Sequence, residues 1–268
     1  MNEFINKELL FTIEDHVATI TLNRPETYNA LSDTMREGLR QIADILRTRK
    51  DIWLVVLTGA GKAFCAGGDI KVMKKRIEAQ VSYRERLETY RHDVADVVRD
   101  FRSIPQLVIA QIGGAAYGAG CSLAMLCDIR IASEKAKFGL PFGKRGLIPD
   151  WGATFFLPRL IGTSKALSLC ATGKSFTAAE GLQMGFLDEI VPHEELESYV
   201  KQFCEEIKQS SPFAVKAAKV AIYQSLTRDL DAALEVEAKL QSACYLTDDH
   251  KEGVDCFLEK RPAVFTGK

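Results

Sequence analysis

Twice along this chain an apolar run of strand length passes into a glycine-rich turn, and this repeated pairing restricts the possible folds more than any other feature. Residues 52–57 read Ile-Trp-Leu-Val-Val-Leu, and residues 58–68 follow with Gly59, Gly61, Gly67 and Gly68. Residues 107–112 read Leu-Val-Ile-Ala-Gln-Ile, and the turn at 113–120 carries Gly113, Gly114, Gly118 and Gly120. Near-continuous apolar runs describe strands covered on both faces, as in parallel sheets flanked by helices. Helical patterns alternate with them, so the expected class is α/β.

The rest of the chain fits that frame. Residues 9–13 and 17–22 read as a hairpin turning at 14–16. Ser32 caps a helix to about residue 47, with Met35, Leu39, Ile42, Ala43 and Leu46 at three- and four-residue steps. Residues 71–91 are charged and read as exposed, mobile between 74 and 83, before a helix ending near 104. A helix is expected at 122–127 and a strand at 128–132. Beyond residue 195 strands cease, and 194–209, 212–226, 229–246 and 249–259 carry helical periodicity. This divides the chain into a core, 1–195, and a helical segment, 196–268.

A length of 268 residues suits one large core with an appendage. The net charge of −1 supplies no bulk field for nucleic acid or an anionic membrane, so neither partner is expected. The seven cysteines include no C-x-x-C pair and fit buried, reduced thiols. The N-terminal stretch has the pattern of neither a signal nor a transit peptide, and no apolar run approaches the roughly 18–20 residues of a membrane span. A cytoplasmic protein is expected. The four histidines show no metal-ligand spacing, and no metal or bound cofactor is expected.

Neither glycine turn is a nucleotide fingerprint. The first lacks the third glycine, the second runs Gly118-Ala119-Gly120-Cys121, and Gly173-Lys174-Ser175 lacks the first glycine of a phosphate loop. Small residues there allow close backbone approach, so that peptide N–H groups face a ligand oxygen at a helix start. Tight turning and close packing alone is the plainer reading.

Five segments in order decide the matter: residues 21–31 (TLNRPETYNAL), 57–70 (LTGAGKAFCAGGDI), 118–129 (GAGCSLAMLCDI), 146–150 (GLIPD) and 252–262 (EGVDCFLEKRP). Together they resemble the crotonase (enoyl-CoA hydratase/isomerase) superfamily over nearly the whole chain. The resemblance implies a spiral of ββα units with a C-terminal helical trimerisation segment, and a homotrimer or a hexamer built as a dimer of trimers. It implies an acyl-CoA substrate, with coenzyme A present only as part of the thioester. The oxyanion hole would be the N–H groups of Gly68 and Ala119, within the small-residue stretch Ala66, Gly67, Gly68, Asp69 and Ile70. Adenine would lie near Ala66 and the phosphates near Arg24. Phe257 and Lys260 would reach a neighbour's nucleotide. Asp69 reads as a helix cap and loop anchor. Tyr117, Phe142 and Trp151 would line the acyl pocket.

Hydratases of this family use two glutamates, and Ser122 and Phe142 stand at those positions here. Neither is a useful base, which disfavours hydration by paired carboxylates. Asp150 occupies a position where some relatives carry a working aspartate, and Phe142, Ile148 and Trp151 are placed to desolvate it. Capping a helix that begins at Trp151 is its alternative role. A single base beside an oxyanion hole implies an enoyl-CoA isomerase with Asp150 as acid and base. The alternatives are a hydratase, another acyl-CoA lyase or hydrolase, and an acyl-CoA-binding protein without catalysis.

Overall fold

The computed structural model describes residues 2–268, with side chains from Ile5 onward. Its strands are β1 (Asn2–Asn6), β2 (Leu9–Glu14), β3 (Val17–Leu22), β4 (Leu54–Gly59), β5 (Ala63–Cys65), β6 (Leu107–Ile112), β7 (Ala115–Tyr117), β8 (Ile129–Ser133), β9 (Lys137–Gly139), β10 (Ser175–Thr177) and β11 (Glu189–Val191). Its helices are α1 (Asp33–Thr48), α2 (Ile70–Glu78), α3 (Tyr83–Tyr90), α4 (Asp96–Arg102), α5 (Ala119–Leu126), α6 (Ala153–Ile161), α7 (Thr163–Thr172), α8 (Ala178–Met184), α9 (Leu196–Lys208), α10 (Pro212–Ser225), α11 (Leu230–Tyr245) and α12 (Asp248–Glu259).

Two sheets form. The longer has seven strands in the order β1-β2-β3-β4-β6-β8-β11, and the shorter has four in the order β10-β9-β7-β5. β4, β6 and β8 lie parallel in the long sheet. Each is followed at once by a short strand of the other sheet, β5, β7 or β9, also mutually parallel. One turn of chain thus lays a strand in each sheet before a helix returns it, a ββα spiral in which each turn stacks on the last. The glycine turns make the step between sheets tight. A Cβ on Gly114 would lie 2.1 Å from the Lys62 carbonyl oxygen, and one on Gly59 would lie 2.4 Å from that of Phe64.

The apolar runs are buried as their composition requires. Val55 and Leu57 point into the main core with Phe64, Leu123 and Phe138. Leu54 and Val56, on the other face, pack with Ile109, Ile131 and three residues of α9, Leu196, Val200 and Cys204. The hairpin joins β2 and β3 antiparallel through Asp15 and His16, both at positive φ, the two-residue turn that matches strand twist. Ser32 caps α1 by accepting the Met35 N–H at 3.0 Å.

Four readings change. β1 adds an edge strand that the sequence did not announce. The small strands β5 and β7, each three residues, fall inside what read as turns. The charged stretch 71–91 is exposed but helical, as α2 and α3. Two side-chain caps hold it: Asp69 accepts the Lys71 backbone N–H, and Ser82 and Glu85 form a capping box. α5 starts at Ala119, three residues before its expected start, because glycine at 118 supports a backbone turn with φ 52° and ψ −126°. The last strand ends at Val191, and α9 to α12 follow with boundaries close to those expected.

Candidate active site

β5 and β7 are parallel neighbours, so the segments leaving their C-terminal ends emerge side by side. Gly67 and Gly68 leave one end, and Gly118 and Ala119 leave the other. A Cβ on Gly67 would lie 3.1 Å from the Ala119 nitrogen and 2.5 Å from the Tyr117 carbonyl oxygen. Gly67 also holds φ at +94°, so both space and conformation demand glycine. A Cβ on Gly120 would meet the Cys65 carbonyl oxygen at 2.1 Å. The small residues let two main chains touch.

Both peptides of interest are anchored by their carbonyls. The Leu31 N–H donates to the Gly67 carbonyl at 2.8 Å within the parallel Leu31–Gly68 bridge. A trans peptide points its C=O and N–H in opposite directions, so the Gly68 N–H is directed away from Leu31. The Gly118 carbonyl accepts the Ser122 N–H at 3.0 Å and the Ser122 hydroxyl at 3.2 Å. The Ala119 N–H, on that same peptide, therefore points out of the start of α5, where backbone donors have no intrahelical acceptor. Two adjacent peptides are thus held with their N–H groups turned outward from their anchors.

Ser122 is wholly buried and its hydroxyl is turned back on the helix. Phe142 is buried, with its ring tip 3.9 Å from where a Cβ on Gly118 would lie. Trp151 is buried at a left-handed φ of 53°, and Tyr117 donates its hydroxyl to Ser175 at 3.1 Å. Asp69 caps α2 and lies 3.7 Å from Arg24, whose guanidinium also reaches Glu8 at 3.6 Å and the Ala30 carbonyl at 2.6 Å. Ala66 and Ile70 are exposed at the rim of this loop. Phe257 and Lys260 are exposed on α12 and at its C-cap, in the helical segment rather than at the loop ends.

Asp150 behaves differently from a cap. α6 begins at Ala153, not Trp151, with Gly152 as its N-cap, and no side chain caps it. Only the Asp150 backbone carbonyl serves there, accepting the Ala153 N–H at 3.0 Å. The side-chain Oδ1 is buried and has no hydrogen-bond partner. Burial pushes the carboxyl up to about 6, against the lowering effects of its own backbone N–H and of Arg36. Ile148, expected to help cover it, is 78% exposed, while Phe142 and Trp151 are buried.

Three residues of this region escaped the sequence reading. Asn29, fully buried at a left-handed φ of 57°, accepts the Arg24 N–H at 2.8 Å and donates to the carbonyls of Ala60 and Ala63 at 2.9 and 2.8 Å. It ties the segment before α1 to the first glycine turn. Arg36 on α1 and Tyr90 at the end of α3 both act on the Asp150 loop. Burial and then the Asp150 charge push the Tyr90 phenol up. Asn29 stood inside a quoted motif, but Arg36 and Tyr90 lie far from Asp150 in sequence and gave no local signal.

The family model for enoyl-CoA hydratase/isomerase matches residues 12–268. A short-chain-enoyl-CoA hydratase of Clostridium acetobutylicum is 37% identical over 252 residues, covering 92% of this chain and 93% of its own. A 1,2-epoxyphenylacetyl-CoA isomerase of Escherichia coli is 34% identical over 268 residues, covering 100% of both chains. The crystal structure of an enoyl-CoA hydratase from Bacillus anthracis superposes with a TM-score of 0.90 at 35% identity, covering 97% of this chain and 100% of that one. The chain belongs to the enoyl-CoA hydratase/isomerase family of the crotonase superfamily and is one of its enzymes.

Proposed function

We propose that this enzyme is an enoyl-CoA isomerase in which Asp150 carries a proton between C2 and C4 of a 3-enoyl-CoA thioester. The observation that carries this reading is the Asp150 carboxyl, with one buried oxygen lacking any donor and its pKa pushed up to about 6. A carboxylate poised there is ionised near neutral pH yet basic enough to accept a proton in a transition state. Neither glutamate position of the hydratases offers a competing base. Ser122 is sealed within α5 and Phe142 is an apolar wall.

The thioester oxygen accepts the N–H groups of Gly68 and Ala119. Asp150 removes a C2 proton, and the freed electron pair forms a C1–C2 double bond as negative charge moves onto the oxygen. The charge-bearing oxygen is where each preorganised donor contributes most, about 2.7–4 kcal/mol. Protonated Asp150 then delivers its proton to C4. The C3–C4 electron pair forms the new C–H bond, the C1–C2 pair moves to C2–C3, and the carbonyl re-forms. No water is consumed.

Coenzyme A binds with adenine by exposed Ala66 and phosphates by Arg24, and Tyr117, Phe142 and Trp151 shape the acyl space beyond Ile70. Phe257 and Lys260 complete the nucleotide site of a neighbouring copy in a trimer or dimer of trimers. Exposed Ile222, Leu226, Leu230, Leu234 and Leu258 on α10 to α12 support that assembly. No helix of the described residues is long and apolar enough to cross a membrane.

The test is double-bond migration in 3-enoyl-CoA thioesters by wild type and Asp150→Asn. Turnover should rise with pH through about 6 and fall by at least 100-fold in the variant, and an unchanged variant refutes the role. Hydration is the second reading, favoured by the hydratase names of the Clostridium and Bacillus relatives. Labelled water separates the two, because isomerisation adds no oxygen to the product.

A further inference from the structure

α2 begins at Ile70, directly after the Asp69 that caps it, and so leaves from the Gly68 end of the first glycine turn. No residue of α2 is buried. Its apolar residues Ile70, Met73 and Ile77 recur at three- and four-residue steps on one face, yet Ile70 is 56% and Ile77 71% exposed. Apolar packing therefore does little to seat this helix. Elements with few buried apolar contacts open at low cost, so the polar contacts that remain decide where α2 lies.

Met73 is the half-buried member of that face. Its methyl Cε would lie 2.5 Å from a Cβ on Gly68. Among the described residues, no other heavy atom beyond the chain neighbours would come within 4 Å of that Cβ. Long side chains on a helix lean toward its N-terminus, so Met73 folds back over the loop that precedes α2. Its methyl group occupies the space where Gly68 has no side chain.

One turn beyond Met73, Arg76 reaches two other elements. It lies 3.3 Å from Asp33 Oδ1, at the start of α1, and 3.2 Å from Asp93 Oδ2, on the π-helical turn Arg91–Ala95 between α3 and α4. Arg36 of α1 braces the same two carboxylates, paired with Asp33 and 3.9 Å from Asp93. From α3, Arg86 donates to the Arg76 main-chain carbonyl at 2.5 Å, one of the acceptors left open at the end of α2. A lone exposed ion pair contributes little, but here two arginines share two carboxylates beside a helix with no buried residue of its own.

We propose that Met73 is a specificity-determining residue of the acyl site and that Arg76 is its positioning residue, seating α2 through Asp33 and Asp93 so that the Met73 methyl covers Gly68. The role rests on Gly68 holding the thioester oxygen, and not on which base works or which reaction follows. An oxygen accepting the Gly68 N–H brings the first acyl carbons up to the Gly68 Cα, so Met73 is the wall that a substituent at C2 meets. Straight acyl chains pass beneath it, and chains branched at C2 collide with it.

The test uses the full-length protein and two saturated thioesters that have no double bond to move or hydrate, hexanoyl-CoA and 2-methylhexanoyl-CoA as separate epimers. Calorimetry gives the ratio of their Kd values. Wild type should bind the straight chain about 10-fold or more tightly than either epimer, the discrimination of a misfitted methyl in an apolar site. Met73→Ala should bring the ratio close to one, and Met73→Leu should keep it. Arg76→Gln should lower it several-fold, and Arg76→Lys should restore it in part. Arg76→Gln added to Met73→Ala should change it no further, because both act through one side chain. A wild-type ratio near one, or one that Met73→Ala leaves unchanged, overturns the specificity role. An Arg76→Gln effect that persists in full in the Met73→Ala background overturns the positioning role. Double-bond migration in 3-hexenoyl-CoA is followed in the same proteins. The expected binding ratios in a wild type that moves no double bond uphold Met73 and overturn the isomerase reading. Intact migration with a binding ratio that Met73→Ala leaves unchanged does the reverse.

Discussion

Replacing Asp150 by asparagine should make the protein more stable as it destroys activity, and the size of the gain should depend on pH. The Asp150 carboxyl is raised from an ordinary 3.8 to about 6, with burial as the main cause. Each pH unit is worth about 1.4 kcal/mol, so the ionised side chain costs the folded state about 3 kcal/mol relative to the unfolded chain. The folded state binds more protons than the unfolded one between these two values. This group's contribution is therefore complete below about pH 4 and is lost as pH rises through about 6. The asparagine variant has no such loss. Its advantage should be near zero at about pH 3, about 0.5 kcal/mol at pH 4, about 1 kcal/mol near pH 4.5 and up to about 3 kcal/mol at pH 7, less what its own half-buried amide costs in unmade hydrogen bonds. Urea unfolding of both proteins at equal protomer concentration and several pH values measures this difference. Other shifted carboxyls, such as Asp51 and Glu252, both lowered to about 2, are common to the two proteins and cancel. A gap that does not change with pH would refute the reasoning. So would an asparagine variant that is less stable at pH 7.

Three further outcomes follow from the loop geometry. Ala119→Pro removes the outward N–H at the first position of α5, where proline fits a helix, and should lower kcat by about 100-fold or more while coenzyme A ester binding, measured by calorimetry, persists. Gly120→Ala drives a Cβ to 2.1 Å from the Cys65 carbonyl oxygen, and should cost about 1–3 kcal/mol or more in urea unfolding with loss of turnover as the two loop ends are pushed apart. Asn29→Ala strands the Arg24 N–H and the carbonyls of Ala60 and Ala63, and should cost about 3 kcal/mol in the same assay, with weakened coenzyme A ester binding where Arg24 is loosened.

Much of the fold was legible because its cause is local. The apolar run of β4 announces a strand covered on both faces, and Val55 and Val56 are indeed turned to different cores. Ser32 announces the start of α1, and the four C-terminal helices keep their periodicity. β5 and β7 were illegible because three residues carry no period, and they are strands only by pairing within the short sheet, β5 with β7 and β7 with β9. The stretch at 71–91 misled because charge alone does not distinguish an exposed helix from a mobile loop. Its caps, Asp69 and Ser82, were the signal that distinguished them.

The sequence by itself determined the family and the glycines on which two main chains can meet. These are facts of residue identity in order, and they need no third dimension. Only the tertiary structure decided the state of Asp150. In sequence it stands as a good helix cap before Trp151, yet α6 begins two residues later and leaves the carboxyl with one buried oxygen that has no hydrogen-bond partner. Its ionisation depends on how much water is excluded and which charges approach. Arg36 and Tyr90 reach it from α1 and α3, across separations in the chain that no local pattern encodes.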